Sequence, residues 1–356
     1  MSSSFPDFQS TESLYAELSE LIEKLPNYKY GKFLERSLRA LARIAKEEIE
    51  RLDWKILSAC LEDMERAFRI FYPYRHIRKI TVFGSARICP NTPEYNLAVE
   101  FARRVAELGF MVITGAGGGI MQAGNQGAGA SKSFGLNISL PFEQGANPFI
   151  AGDHKLIVFK YFFTRKLFFL RESDAIALFP GGFGTLDESF ECITLSQTGR
   201  FGPLPVVLMD VPGGNYWHDL NNFIHKQLIR RGLISPDDTS LYTIADNVDV
   251  ACAAITSFYR VYHSSRYVKD LYVIRLKTEL SDAAIKYLNE NFSDILVKGK
   301  IEKSRALPQE IGDETFNLPR LVLHFNQRDF GRLYQMISTI NQLGAGAQES
   351  EHPEQK

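Results

Sequence analysis

The sequence predicts an α/β fold: a parallel sheet covered by helices on both faces, with a helical leader before it and a small α+β module after it. Three observations lead there. Between Lys79 and Met209, short apolar runs alternate with helical stretches. Glycine-rich turns directly follow three of those runs. Outside this region the pattern changes, to helical periodicity alone before about residue 72 and to a β-α-β-β-α order after about residue 262.

The leader comes first. Residues 1 to about 10 lack periodicity and are expected to be disordered. Leu14, Leu18, Leu21 and Leu25 then share a helical face that Pro26 ends. A second helix carries Leu34, Leu38, Leu41, Ala45 and Ile49, and a third carries Trp54, Leu57, Leu61, Met64 and Phe68 before Pro73. The sheet is expected from Ile80–Phe83, Phe110–Thr114, Phe134–Ile138, Leu156–Phe159, Ala175–Phe179 and Val206–Met209, with helices such as Tyr95–Leu108 and Ile120–Ala130 between them. Beyond it, Leu271–Leu276, Ile295–Ile301 and Leu321–Phe325 read as strands, and Ser281–Asn291 and Asp329–Leu343 as helices. That order resembles a ferredoxin-like or ACT-like module without its last strand. The expected divisions are therefore a helical region over 1–75, the α/β domain over 76–261, the small module over 262–343 and a disordered polar tail over 344–356.

Composition narrows the function. The chain has 356 residues, 45% of them hydrophobic and 23% charged, as in a soluble globular protein. A net charge of −1 gives no broad nucleic-acid surface. Cys60, Cys89, Cys192 and Cys252 are scattered without a C-x-x-C pair, which argues against a zinc site or disulfide framework and suits a reducing compartment. The start lacks the features of a signal peptide, and the greasiest stretch, Leu156 to Phe179, is broken by Lys160, Arg165, Lys166, Arg171, Glu172 and Asp174. A cytoplasmic protein with no membrane partner is expected. The seven histidines show no metal-ligand spacing, so no metal is expected.

The chemistry concentrates at the three turns, which a parallel sheet places at one edge, where such sheets bind ligands. The run Pro180-Gly181-Gly182-Phe183-Gly184-Thr185-Leu186-Asp187-Glu188 follows a buried strand and opens a helix. Backbone N–H groups at such a helix start suit a phosphate. Thr185 can cap the helix or bind a phosphate oxygen, and capping is the plainer use. Glu188 and Glu191 share one helical face, where they can serve a ligand or merely complement the helix dipole. The first turn, Gly84-Ser85-Ala86-Arg87, would put a hydroxyl and N–H groups at the same edge. The second, Gly115-Ala116-Gly117-Gly118-Gly119, implies close backbone approach, to a neighbouring helix or to a ligand. Arg165 and Lys166, among Phe162, Phe163, Phe168 and Phe169, must snorkel, pair with acids or face a pocket.

Taken together, Arg165-Lys166, Ser173 to Leu178, the Pro180–Glu188 run, Glu191, Thr194 and Gln197, with the two earlier turns, resemble the Lonely Guy (LOG) family over about residues 79–210. Ala116 and Gly118 depart from it, standing where glycine and often proline occur. The resemblance implies a Rossmann-like fold, usually dimeric, and phosphoribohydrolase activity on nucleoside 5′-monophosphates without a cofactor. It implies catalytic roles for Arg165 and Glu188, and a phosphate loop at Gly181, Gly182, Gly184 and Thr185. Gly84, Ser85, Gly117, Gly118, Gly119, Lys166 and Glu191 complete the expected substrate site. A purine nucleotide such as AMP, or an N6-substituted adenine nucleotide, is the expected substrate, and a homodimer or higher homo-oligomer the expected assembly. The alternative is a non-enzymatic nucleotide- or molybdenum-cofactor-binding carrier or regulator, with the C-terminal module as a sensor or partner surface.

Overall fold

A computed structural model of the chain describes residues 17, 20–24, 28–47, 49–139 and 145–349. The chain divides into two compact units, Met1–Glu62 and Asp63–Lys356. In the first unit, α1 spans Gly31–Lys46, and α2, Arg51–Phe71, begins there and runs across the boundary. The helical leader expected over 1–75 is thus divided by the fold. Its end belongs to the second unit, because Ala67 and Phe71 lie in that unit's core. The helix expected around Leu14 falls largely outside the described residues, as does the disorder expected over residues 1–10.

The second unit contains a seven-stranded sheet. Its strands are β1 (Lys79–Phe83), β2 (Met111–Thr114), β3 (Ser133–Ile138), β4 (Leu156–Phe159), β5 (Ala175–Leu178), β6 (Val206–Met209) and β7 (Thr243–Ala245). They lie in the order β4-β3-β2-β1-β5-β6-β7, and every pairing is parallel. Strand β7 was not expected; three residues are too short to carry a period. Alternation along β1 divides the core: Ile80 and Val82 face one side and Phe83 the other. One face is covered by α3 (Pro93–Glu107), α4 (Ile120–Ala128) and α8 (Val248–Phe258). The other is covered by the end of α2 with α5 (Phe162–Arg171), α6 (Phe183–Gln197) and α7 (Tyr216–Phe223). This is the Rossmann-like α/β fold with both faces covered. The strand order reverses between β1 and β5, which opens a crevice beyond their carboxyl ends.

A four-stranded antiparallel sheet follows, ordered β10-β11-β9-β8 and built from β8 (Tyr262–Val268), β9 (Leu271–Leu276), β10 (Leu296–Ser304) and β11 (Arg320–Phe325). The helices α9 (Asp282–Asn291) and α10 (Phe330–Glu349) complete the module. The strand thought missing at its end is supplied from its beginning, since β8 pairs beside β9 and fills that edge. Of the tail expected to be disordered over 344–356, the part up to Glu349 is helical and the rest lies outside the described residues. Gly344 makes this possible by close packing, because a Cβ there would sit 2.6 Å from Val261. Helix α10 also meets the end of α6: the Phe330 ring fills the space over Gly199, and the Tyr334 hydroxyl accepts the Leu204 N–H at 3.0 Å.

Candidate functional site

The crevice beyond β1 and β5 contains a cavity of about 980 Å³. Its lining includes Gly84 and Ser85 from the first turn, the whole Gly181–Glu188 run, Arg165 and Phe162 from α5, and Tyr216 from α7. The first and third turns meet directly, through a hydrogen bond from Ser85 N–H to the Pro180 carbonyl at 3.1 Å. Adjacent parallel strands ending together explain why turns about a hundred residues apart converge.

The third turn is built to present its amides. Gly182 is the N-cap of α6 and no side chain caps it, so the helix start keeps free N–H groups. A Cβ at Gly182 or Gly184 would meet nothing within 4 Å, so both open onto space. At Gly181 a Cβ would lie 2.1 Å from the Thr185 hydroxyl oxygen, so Thr185 is tucked beneath the loop. The plainer expectation for Thr185, helix capping, is not what the structure shows.

Glu188 lies one turn into α6, only 8% exposed yet on the cavity wall. Burial pushes its carboxyl up from 4.5 to about 7, against the opposing pull of Lys166 and Arg165. The two basic residues of α5 divide the available roles. The Arg165 guanidinium lines the cavity, 5.0 Å from the Phe162 ring centroid and 5.5 Å from that of Phe169. Lys166 pairs with acids instead, its Nζ 2.6 Å from Asp187 and 3.0 Å from Glu191. Lys166 and Glu191 therefore flank Glu188 without lining the cavity.

The second turn lies mostly behind the first. Gly115 reaches the cavity, whereas Gly117, Gly118 and Gly119 are not in its lining. Gly119 has φ +62°, and a Cβ there would lie 2.2 Å from the Ser85 carbonyl oxygen. Its N-terminal neighbours are held by buried amides. Asn147 donates to the Gly117 carbonyl at 3.1 Å and to Asn125 Oδ1 at 2.9 Å, and its N–H bonds the Ala116 carbonyl at 2.8 Å. Ala116 takes φ +61° within this frame, so its departure from glycine is accommodated by a strained but tightly bonded backbone.

Tyr216 and Phe162 of the lining, and Asn147 behind it, lie outside the motif runs. The signal that identifies Tyr216 is its place after Gly213-Gly214, at the carboxyl end of the next strand. Among the described residues, no cluster of His, Cys, Asp and Glu is placed to hold a metal ion, and no helix is long and apolar enough to cross a membrane.

A family described as "possible lysine decarboxylase" matches residues 119–255. A probable cytokinin riboside 5′-monophosphate phosphoribohydrolase of the LOG type from Oryza sativa subsp. japonica is 44% identical over 72 residues, 20% of this chain and 32% of that protein. A cytokinin riboside 5′-monophosphate phosphoribohydrolase from Arabidopsis thaliana is 43% identical over 72 residues, with the same shares covered. The chain thus spans about a third of the length of these curated relatives. Among solved structures, the molybdenum cofactor carrier protein of Chlamydomonas reinhardtii matches with 20% identity and a TM-score of 0.35, over 51% of this chain and 96% of that one. A likeness at that score carries no functional weight. The resemblance to the LOG family is borne out by the family and relative matches.

Proposed function

We propose that the chain is a nucleoside 5′-monophosphate phosphoribohydrolase, cleaving AMP or an N6-substituted adenine nucleotide to the free base and ribose 5-phosphate. One observation carries the reading: an uncapped glycine-rich helix start and a buried carboxylate one turn further on face the same cavity. The phosphate sits at the Gly181–Thr185 loop, where amides and the helix dipole stabilise its charge. Binding there fixes the ribose, so energy from the phosphate is used to orient the reacting bond.

Breaking the C1′–N bond leaves positive charge on the ribose ring, as in glycoside cleavage. Glu188 as carboxylate, buried in the cavity wall, stabilises that charge. A water oxygen ends on C1′, and a proton goes to the departing base. Arg165, close enough to pull the Glu188 carboxyl down, helps keep it ionised and offers a cation to the phosphate. The Lys166 ammonium, held by Asp187 and Glu191 outside the cavity, pulls the carboxyl down in the same direction.

The test is ribose 5-phosphate release from a panel of nucleoside monophosphates, with Glu188→Ala as control. Turnover lost in the variant supports the reading. Well-folded protein that releases no base from any monophosphate refutes it, and binding without turnover points to a carrier. The expected homodimer or higher homo-oligomer and the cytoplasmic location accompany this proposal, and sedimentation and cell fractionation check them.

A further inference from the structure

Tyr216 is not part of the glycine motifs, yet it touches the loop at Gly181. Its hydroxyl donates to the Gly181 carbonyl at 2.7 Å. Gly181, Gly182 and Gly184 give this loop wide conformational freedom and no side chains of their own to fix it. Two other contacts hold the loop nearby. The Pro180 carbonyl accepts the Ser85 N–H, and Thr185 fills the space under Gly181. Neither sets the plane of the peptide between Gly181 and Gly182. The Tyr216 bond does, because in a trans peptide the carbonyl and the next N–H point in opposite directions. Anchoring the Gly181 carbonyl therefore fixes the direction in which Gly182 presents its amide.

Tyr216 is itself firmly placed. Its N–H bonds Asp210 Oδ2 at 3.0 Å, and Asp210 Oδ1 takes the Val211 N–H at 2.9 Å. The next residue, Trp217, is fully buried and donates its indole N–H to the Met209 carbonyl at 2.9 Å. The hydroxyl thus ties the loop after β5 to the carboxyl end of β6, an element that contributes nothing else to the motif.

We propose that Tyr216 is a positioning residue for the phosphate: by holding the Gly181 carbonyl it pre-orients the loop amides that receive the phosphate group. The proposal rests on the phosphoribohydrolase reading. Without the hydroxyl, the loop must be ordered at each binding event, which weakens binding of every phosphate-bearing ligand and leaves the chemistry at C1′ unaffected.

The experiment compares wild type with Tyr216→Phe, which removes one oxygen and keeps the ring. The expected result is a KM for the monophosphate raised about three- to tenfold, the range for one neutral hydrogen bond. The value of kcat should stay within about twofold. Calorimetric binding of ribose 5-phosphate should weaken by the same factor, while inhibition by the unphosphorylated nucleoside should not change. A purely structural role would instead lower the melting temperature and reduce kcat without singling out the phosphate. Tyr216→Leu is the second variant, and it should lose at least as much phosphate affinity as Tyr216→Phe.

Wild-type kinetics and phosphate affinity in Tyr216→Phe, with active wild type, would overturn the role of Tyr216 alone. So would an equal loss for the nucleoside and the nucleotide. A wild type that neither hydrolyses monophosphates nor binds ribose 5-phosphate would remove the functional reading, and this inference with it.

Discussion

Replacing Glu188 with glutamine gives a stability effect whose sign and size follow from the site. Glu188 is only 8% exposed, and burial lifts its carboxyl from 4.5 to about 7. A carboxyl raised in the folded state holds its proton more tightly there than in the unfolded chain. The associated stability is fully present below pH 4.5 and is lost as pH rises through about 7. The loss amounts to about 3 kcal/mol above that window, an order-of-magnitude figure from the linkage relation. Glutamine has nearly the same shape and no such titration. Glu188→Gln should therefore match wild type in its pH-independent terms and gain on it steadily between pH 4.5 and 7, reaching about 3 kcal/mol by pH 8. Urea unfolding of both proteins at several pH values between 4.5 and 8.5 measures the difference. The same variant should lose at least a hundredfold in kcat. In wild type, kcat/KM should rise with pH along one ionisation near 7, since the carboxylate is the working form. A stability difference that stays flat across this window would refute the claim that Glu188 is held as a buried, destabilised acid. Activity that falls as pH rises through 7 would refute its role as carboxylate.

Three further outcomes follow from the glycines and from the C-terminal module. Gly119→Ala should destabilise the protein by about 2 kcal/mol or more, because φ is +62° and the Cβ would strike the Ser85 carbonyl. Gly184→Ala, which meets open space, should leave urea stability within about 1 kcal/mol of wild type yet weaken ribose 5-phosphate binding. In the module, Glu310 is fully buried and takes hydrogen bonds from Arg275 at 2.7 Å, Arg320 at 2.8 Å and Leu307 N–H at 3.1 Å. Those bonds outweigh burial and hold its carboxyl down at about 2. Glu310→Gln leaves the buried Arg320 without its acidic partner, while Arg275 keeps Asp313 at 3.0 Å, and should cost about 3 kcal/mol at neutral pH, measured by urea unfolding. Since the native carboxyl is depressed, this contribution is present above pH 4.5 and fades as pH falls toward 2.

How far the sequence reveals the site depends on the range of the interactions involved. The Pro180–Glu188 run is local: strand, glycine turn and helix start follow one another along the chain, so the glycine-rich helix start and the acid one turn into it can be read directly. The adjoining roles of Arg165 and Lys166 cannot. Both lie on the same short helix among the same phenylalanines, and only the placement of α5 beside α6 sends one into the cavity and the other to Asp187 and Glu191. The second turn illustrates the same limit. Five small residues announce close approach, but that its neighbour is chiefly the first turn follows from the adjacency of β1 and β2.

By itself, then, the sequence determined the alternation that makes a covered parallel sheet, the helix starts, and the glycines that need unusual backbone angles. These are properties of consecutive residues, set by periodicity, steric freedom and local dipoles. The tertiary structure decided what is distant in the chain. It split the helical leader within α2, placed β8 at the edge left open in the C-terminal sheet, and continued α10 to Glu349. It also brought Tyr216 to the Gly181 carbonyl and buried Glu188. Burial and cross-strand adjacency are sums over neighbours far apart in sequence, so the proton affinity of Glu188 and the anchoring of its loop arise only when the sheet assembles.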